Sequence, residues 1–278
     1  MGKQKKVDSK EAGLEIGLHF FKFFLKTEYL HYGYFKNLET DISNLAKAQE
    51  QYANYLLSSI PEDVKTILDV GCGSGKMAET LLEKGYKVDA VAPGNLLSNY
   101  VKEKIGDRIE LFNCRFQDLV TSKKYDMVMF SESFQYIHIK DAMEGAINFT
   151  REGGYIMIAD FFKTDAPGKS MLGGGHKYSE WLEVKPNFKL ETIKEEDITE
   201  ETAPTIDLVS QLSTEVLQPI WRVVFALAED RFPLILKFVK WKYKKKLAKL
   251  DDKHFSGQRN GKNFKIYKKY MFYLFKKQ

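Results

Sequence analysis

The run Ile67-Leu68-Asp69-Val70-Gly71-Cys72-Gly73-Ser74-Gly75 carries the most chemistry in this chain, because it is an apolar strand that empties into alternating glycines. Glycine has no Cβ, so the backbone can take positive φ and lie close against a ligand, as a sharp strand-to-helix nucleotide turn requires. Met77, Ala78, Leu81 and Leu82 then recur at helical spacing until Gly85. A ligand-binding enzyme is the leading reading. The phosphate-binding pattern G-x-x-x-x-G-K-[ST] fails: Val70 stands where the first glycine belongs, and Met77 replaces the hydroxyl that would hold magnesium. The dinucleotide pattern G-x-G-x-x-A is met by Gly73 to Ala78, which leaves a nicotinamide-dependent oxidoreductase open.

The elements that must position this loop follow from the hydrophobic pattern. Residues 11 to 35 read as one or two helices rich in aromatics, and Leu45 to Ser58 as an amphipathic helix. From Thr66 the pattern alternates: strand 66–70, helix 76–84, strand 87–91, helix 95–104, strand 108–113, strand 125–130, helix 140–149, strand 154–159. Strands alternating with helices imply an α/β fold with a doubly wound, mostly parallel sheet. Ligands bind such sheets beyond the carboxyl ends of the strands. That brings Asp69 to Gly75, Ala92 to Asn95, Arg115 to Asp118 and Ser131 to Tyr136 around one crevice. Past Asp160 the alternation lapses, with a glycine turn at 173–175, a short strand near 189–193 and helices from about 205 to 250. Phe264 to Phe275 suits a final strand returning to the sheet. The expected division is an N-terminal helical cap (1–60), a Rossmann-like core (61–163), a helical lid or substrate insertion (164–255) and a terminal strand (256–278).

Composition bounds the function class. The chain has 278 residues, 44% hydrophobic and 29% charged, as a soluble globular protein would. Its two cysteines, Cys72 and Cys114, have neither metal-ligand spacing nor a disulfide framework, so reduced thiols, no metal and a cytoplasmic setting are expected. Met1 to Lys10 is lysine-rich without an apolar signal region behind it, and no run of about 18 apolar residues exists to span a membrane. The net charge of +5 is concentrated in Lys237 to Lys249. That basic helix is read as a solvated face, or as one that attracts an anionic substrate or a membrane surface. Nucleic-acid binding would need a broad basic face and a recognisable module, and neither is visible.

Leu68 to Gly75 resembles motif I of the class I S-adenosylmethionine-dependent methyltransferases: a hydrophobic strand, an acidic residue and G-x-G-x-G. The resemblance extends over roughly residues 64 to 160 in strand order and spacing. It implies that Gly71, Cys72, Gly73 and Gly75 lie against the cofactor and that Asp69 takes the acidic role; a carboxylate merely capping the loop amides is the alternative. The family usually ends its second strand with Asp or Glu on the ribose, but here Ala92 stands at that point, followed by Pro93, Gly94 and Asn95. Such an anchor is worth about 1.5 to 3 kcal/mol. Asp89 lies three residues upstream, on the opposite strand face. Asn95 or backbone amides could compensate, the nucleoside could be a variant, or the site could be degenerate. The resemblance also implies adenine contacts from Phe116, Gln117 and Asp118, with a core Phe116 and a helix-capping Asp118 as the alternative.

In similar methyltransferases the segment after the fourth strand faces the methyl group, which makes Glu132, Phe134, Gln135 and Tyr136 candidates for the transfer site. Tyr29-Leu30-His31-Tyr32-Gly33-Tyr34-Phe35 resembles the aromatic stretch before motif I in the small-molecule branch, including tocopherol-like and glycine/sarcosine-like methyltransferases. Tyr29, Tyr32 and Tyr34 are thus substrate candidates; an aromatic stripe packed on the sheet is the bland alternative. Should the acceptor have to lose a proton, His31, Glu132 and His176 are the candidate bases. The expectation is methyl transfer from S-adenosylmethionine, leaving S-adenosylhomocysteine, to an O, N or C nucleophile of a small molecule. A catalytically inactive binding module, motivated by Ala92, is the principal alternative.

Overall fold

The computed structural model describes residues 9–168 and 170–278. Residues 1–8, and with them most of the lysine-rich Met1 to Lys10 stretch, lie outside the described residues.

Chain order sets the architecture. Helix α1 (Ser9–Phe20) runs into a wider turn, Phe21–Leu25, and helix α2 (Leu45–Ser58) precedes strand β1 (Thr66–Val70). Then come α3 (Lys76–Glu83), β2 (Lys87–Val91), α4 (Asn95–Ile105), β3 (Leu111–Phe112), β4 (Tyr125–Ser131), α5 (Ile139–Phe149) and β5 (Thr150–Lys163). The remainder is α6 (Tyr178–Val184), β6 (Glu191–Asp197), α7 (Thr199–Thr202), α8 (Pro204–Gln211), α9 (Gln218–Arg231), α10 (Pro233–Phe255), α11 (Gly261–Tyr267) and β7 (Lys268–Lys276). The seven strands form one sheet in the order β3-β2-β1-β4-β5-β7-β6. Strands β1 to β5 are mutually parallel, and β7 inserts antiparallel between β5 and β6.

Burial on both faces explains the sequence of the central strands. Alternate residues feed two cores: Ile67, Met127, Met157 and Phe272 pack with Tyr52, Leu56 and Leu81 on one side, while Leu68, Phe130, Ile156 and Tyr273 pack with Phe116, Met143 and Trp181 on the other. Strands covered on both faces read as nearly continuous apolar runs. The alternation from 66 to 159 is thus a sheet with helices on both sides.

Several spans differ from the sequence expectation; β5 runs longer than the 154–159 expected, and β6 lies a few residues later than 189–193. The helix expected over 11–35 ends at Leu25, because Lys26 adopts φ 54 and turns the chain out of the helix. Residues 27–35 belong to neither helix nor strand. The strand expected over 108–113 shrinks to Leu111–Phe112; Arg108 belongs to the short helical turn Gly106–Arg108, and residues 109 and 110 belong to no strand. The final strand begins at Lys268 rather than Phe264, since Asn260 caps α11 by accepting from the Asn263 amide at 2.8 Å and Phe264 is buried in that helix.

After β6, α7 and α8 pack into the fold through Thr199, Thr202, Thr205, Ile206 and Leu208. The two helices that follow bury no residue at all.

Candidate active site

Strand β1 delivers its chain into the glycine turn at the carboxyl edge of the sheet. Gly71, Gly73 and Gly75 have φ of 81, 55 and 75°. At Gly71 a Cβ would stand 2.5 Å from the Ser133 Cβ, so this glycine lets the loop lie flat against the segment after β4. The Ser133 hydroxyl donates to the Val70 carbonyl, and the Gly71 amide donates to Val91 at 2.8 Å. Gly73 is different: a Cβ there would meet only the Leu30 Cδ1, at 3.8 Å. Its backbone therefore faces room for a ligand rather than packed protein.

Beneath this loop Asp69 is 2% exposed, and its Oδ2 is buried without a hydrogen-bond partner. Burial alone pushes its carboxyl up to about 7. A buried polar atom left unpaired is costly, and a donor arriving on a ligand would relieve that cost. Burial also pushes the Cys72 thiol upward, which makes it inert packing.

A strap from the N-terminal region crosses the same edge. The Ser74 hydroxyl donates to the Glu28 carbonyl at 2.5 Å. The Glu28 carboxylate takes Lys104 and the Tyr100 hydroxyl of α4, the latter at 2.8 Å, together with Lys22 at 2.9 Å. Burial opposes its ionisation, but the hydrogen bonds from Lys104, Lys22 and Tyr100 outweigh burial and hold it near 2. Tyr29 meets Thr80 of α3 at 2.8 Å, and the Gln49 amide donates to the carbonyls of Tyr29 and His31 at 3.0 and 2.8 Å. Gly33 follows, its amide on the Thr205 hydroxyl at 2.9 Å and its face so near Ala48 that a Cβ would clash at 2.6 Å. Tyr34 is buried and stacks on Tyr55 at 5.1 Å.

Opposite the glycine loop stands Glu132, just past β4. It holds φ 57, a left-handed conformation that a non-glycine residue adopts only under constraint. Its Oε1 accepts from the Tyr32 amide at 2.7 Å and from the Tyr270 hydroxyl at 2.8 Å. Tyr270 in turn meets the Tyr52 hydroxyl at 2.8 Å. Burial, offset by the Tyr32 and Tyr270 bonds and reinforced by Asp160, raises Glu132 to about 8. The His31 ring lies 4.7 Å from Tyr29 and 4.4 Å from Tyr52; its Nδ1 meets the Tyr32 carbonyl at 2.8 Å and its Nε2 is buried without a partner. Burial lowers it to about 4, so it is neutral at physiological pH. The Tyr32 ring packs among Phe161, Phe264 and Tyr270.

The far wall is set by Asp160, 1% exposed, which accepts from the Gln135 amide at 2.9 Å and its side chain at 3.0 Å. Gln135 in turn accepts from Gly175 at 3.2 Å. Lys268, also 1% exposed, lies over the Phe161 ring and donates to the carbonyls of Gly173 and Gly174. The glycine turn 173–175 is thus fastened over the end of β5. Burial lowers the Lys268 ammonium to about 8.

Asp69, Gly71, Cys72, Gly73, Gly75, Glu132, His31, Tyr29 and Tyr32 are therefore gathered at one edge. Ala92 is buried beside the loop, its amide on the Phe112 carbonyl at 3.1 Å, with Pro93 and Asn95 exposed beyond it. Asn95 accepts from Asn113 at 3.2 Å. Phe116 lies among core aromatics, 5.4 Å from Phe130 and 5.8 Å from Phe149, and Gln117 is exposed. Asp118 is exposed and held by Arg115 at 2.7 Å. Phe134 is fully buried against Phe130 and Trp181, while Tyr136 is 63% exposed. His176 sits edge-on to Phe134 with its Nε2 3.1 Å from that residue's carbonyl. Asp89 is spent elsewhere, on Lys123 at 2.7 Å and Tyr125 at 2.9 Å. Sequence reasoning missed Tyr52, Tyr270, Asp160 and Lys268. Asp160 carried a signal, as the lone charge in the apolar run Tyr155 to Phe162. Among the described residues no group of three or more His, Cys, Asp or Glu is arranged to hold a metal.

A family model described as a methyltransferase domain matches residues 67–154. The malonyl-[acyl-carrier protein] O-methyltransferase 2 of Ilyobacter polytropus is 28% identical over 143 residues, covering 46% of this chain and 55% of that protein. The chain thus spans about half the length of the curated relatives it matches. Among solved structures, the cyclopropane synthase MmaA2 from Mycobacterium tuberculosis superposes with a TM-score of 0.68 at 14% identity, covering 99% of this chain and 100% of that one. A geranyl diphosphate C-methyltransferase from Streptomyces coelicolor A3(2), in complex with Mg2+, geranyl diphosphate and S-adenosyl-L-homocysteine, does so at 0.63 and 15% identity, covering 95% and 98%. At these identities the structural likeness is one of fold.

Proposed function

We propose that this chain, whose residues 67–154 match the methyltransferase-domain model, belongs to the class I S-adenosylmethionine-dependent methyltransferase superfamily and transfers a methyl group from S-adenosylmethionine to an O, N or C nucleophile of a small molecule. The acceptor class we favour is hydrophobic or amine-bearing, since aromatic rings and buried carboxylates dominate the Glu132 wall. The observation that carries this reading is the pairing of an open glycine with an orphaned carboxylate: Gly73 faces room, and Asp69 beside it has a buried, unpartnered oxygen. A cationic, amine-bearing ligand answers both.

The cofactor supplies a methyl group made electrophilic by its sulfonium and leaves as S-adenosylhomocysteine. The chain's own contribution is placement and exclusion of water. Asp69 would accept from the ligand's amino group, and the loop amides would lie along its backbone. The rings of Tyr29, His31, Tyr32 and Tyr52 offer π faces that attract a cation by about 0.5–2 kcal/mol. Glu132 is the base we favour. At about 8 it is largely protonated at neutral pH, so its capacity to take a proton grows as pH rises through that value. His31, neutral and with a free Nε2, is the second proton acceptor. His176 is the third candidate, set apart by its contact with the Phe134 carbonyl.

The cap (1–60) and lid (164–255) are read as the acceptor-selecting parts, with a small-molecule substrate and no nucleic acid. A cytoplasmic setting belongs to the same reading; Cys72 and Cys114 are unpaired thiols. One observation favours a second reading, ligand binding without methyl transfer: Ala92 stands where a ribose-binding acid is usual.

Calorimetry with S-adenosylmethionine and S-adenosylhomocysteine, joined to mass spectrometry of co-purified small molecules, tests both. Binding of each, and a mass gain of one methyl in the co-purified compound, is the expected result. No heat at high micromolar ligand would overturn the proposal. Binding without any methylated product would select the second reading.

A further inference from the structure

Helices α9 and α10 form a hairpin that contacts the rest of the chain chiefly at its root. None of their residues is buried. The two helices contact each other and the wider turn Leu212–Leu217 before them, and Phe225 and Ala228 of α9 and Leu236, Val239 and Leu247 of α10 are half-covered. A second apolar stripe on each faces outward. On α9 it is Ile220, Val223, Val224 and Leu227; on α10, Leu234, Ile235, Phe238 and Trp241, with Trp241 75% and Leu234 81% exposed. These recur at i, i+3/i+4, i+7, the spacing of a continuous face. Contiguous exposed apolar surface of this kind marks an interaction site.

The charge on α10 says what covers it. The helix carries eight lysines against two aspartates, and Lys242 to Lys246 includes four of them, all exposed. Lys242 lies over the Phe238 ring, so cation and apolar face adjoin. Aromatic and aliphatic residues bordered by lysines suit an anionic bilayer surface: the rings enter the headgroup region while the lysine stems run along it and present ammonium groups to phosphate. No described helix is long and apolar enough to cross a membrane, so the hairpin would lie in the interface.

We infer that the α9–α10 hairpin docks this protein on anionic lipid membranes. Its placement also matters for the crevice. Leu208 of α8, from which the hairpin springs, shares one cluster with Phe21, Leu25, Phe35, Leu45 and Ala48. The strap over the crevice is thus rooted where the hairpin is rooted, and Phe23 and Phe24, 68% and 62% exposed, project from the same turn. A docked hairpin sets lipid beside the segments that cover the site, as an amphiphilic acceptor held in a bilayer would require. That last point rests on the methyl-transfer reading; docking itself does not.

The test is flotation of the full chain with vesicles of phosphatidylcholine alone or mixed with phosphatidylglycerol. At low salt the anionic vesicles should retain about tenfold more protein or better, and retention should fall as salt screens the lysines. Phe238→Glu with Trp241→Glu should cut retention about tenfold or more, with the thermal unfolding curve unchanged because both side chains are exposed. Lys244→Glu with Lys245→Glu should remove the lipid-charge preference. Equal retention on both vesicle types, no retention, or a double variant that floats like the parent would overturn the proposal. So would a sedimentation mass that doubles without lipid and halves in the double variant, since a second copy would then cover the face.

Discussion

On the glycine-loop wall of the crevice, Asp69, Gly71 and Gly73 come from one short turn, whereas the Glu132 wall gathers Tyr32, Tyr52, Asp160 and Tyr270 from across the chain. The first wall works through its backbone: positive φ, a close approach to Ser133 and one orphaned carboxylate. The second works through side chains that hold one another in a network. A backbone wall fails when its shape changes, and a side-chain wall when one donor or acceptor is removed. The two should therefore break differently.

The largest effect belongs to the backbone. Gly71→Ala places a methyl 2.5 Å from Ser133 Cβ at φ 81, and strain plus overpacking should cost about 2–4 kcal/mol of stability. Gly73→Ala meets no packed atom nearer than 3.8 Å but still carries the left-handed strain of φ 55, about 1–2 kcal/mol, so the protein should lose less stability than Gly71→Ala and lose affinity for S-adenosylhomocysteine as well. Thermal unfolding and calorimetry on both variants read this split. Equal melting temperatures for the two would remove the distinction between a packed glycine and a ligand-facing one.

Next comes the side-chain wall. Glu132→Gln should lower turnover by about 10²–10⁴-fold if the carboxylate takes a proton, while S-adenosylhomocysteine binding stays within a few-fold. If the proposed methyl transfer holds, the parent protein's kcat/KM should rise with pH through about 8, because the raised carboxyl must ionise first. The Gln variant should lack that limb. A Gln variant with the parent's pH profile would move the role to His31 or to no residue.

The same contrast governs what could be read from sequence. Asp69 to Gly75 is legible because the strand, the acid and the glycines are neighbours, and the apolar runs around them fix a two-sided sheet. Tyr52 and Tyr270 are separated by 218 positions, and nothing local to either says that their hydroxyls meet. Helical periodicity does place Tyr52 on the buried face of α2, but burial and function look alike there. Phe116 and Phe134 show the reverse problem: an aromatic beside a crevice suits a ligand stack as well as a core, and only their contacts with Phe130, Phe149 and Trp181 put them inside. In 218–255 the period gives the helical faces without saying what covers them.

Ala92→Asp asks whether the backbone wall is complete as it stands. A carboxylate at the end of β2 adds a charge-assisted anchor of about 1.5–3 kcal/mol, less the cost of burying it beside the loop. Affinity for S-adenosylmethionine should tighten about tenfold. Unchanged or weaker binding would mean that other groups already occupy the ribose, or that the nucleoside is not the usual one.

The smallest effect tests the strap that joins the two walls. Glu28 ties it to α4, and its carboxyl is held near 2 against a usual 4.5. A depressed carboxyl contributes stability that is present above its unfolded pKa and is lost as pH falls through the folded one, so the window runs from about 4.5 down to about 2. The Glu28 side chain is 20% exposed and its partner Lys22 is 53% exposed, so water screens part of the ion pairing and Glu28→Gln should cost about 1 kcal/mol at neutral pH. Its stability should converge with the parent's as pH drops through that window. The dissociation rate of S-adenosylhomocysteine should rise a few-fold in parallel, since the strap then opens more readily over a glycine wall that is itself unchanged. A variant with parental dissociation and an altered neutral-pH melting curve would make Glu28 a fold contact only, and would leave the two walls to act without the strap.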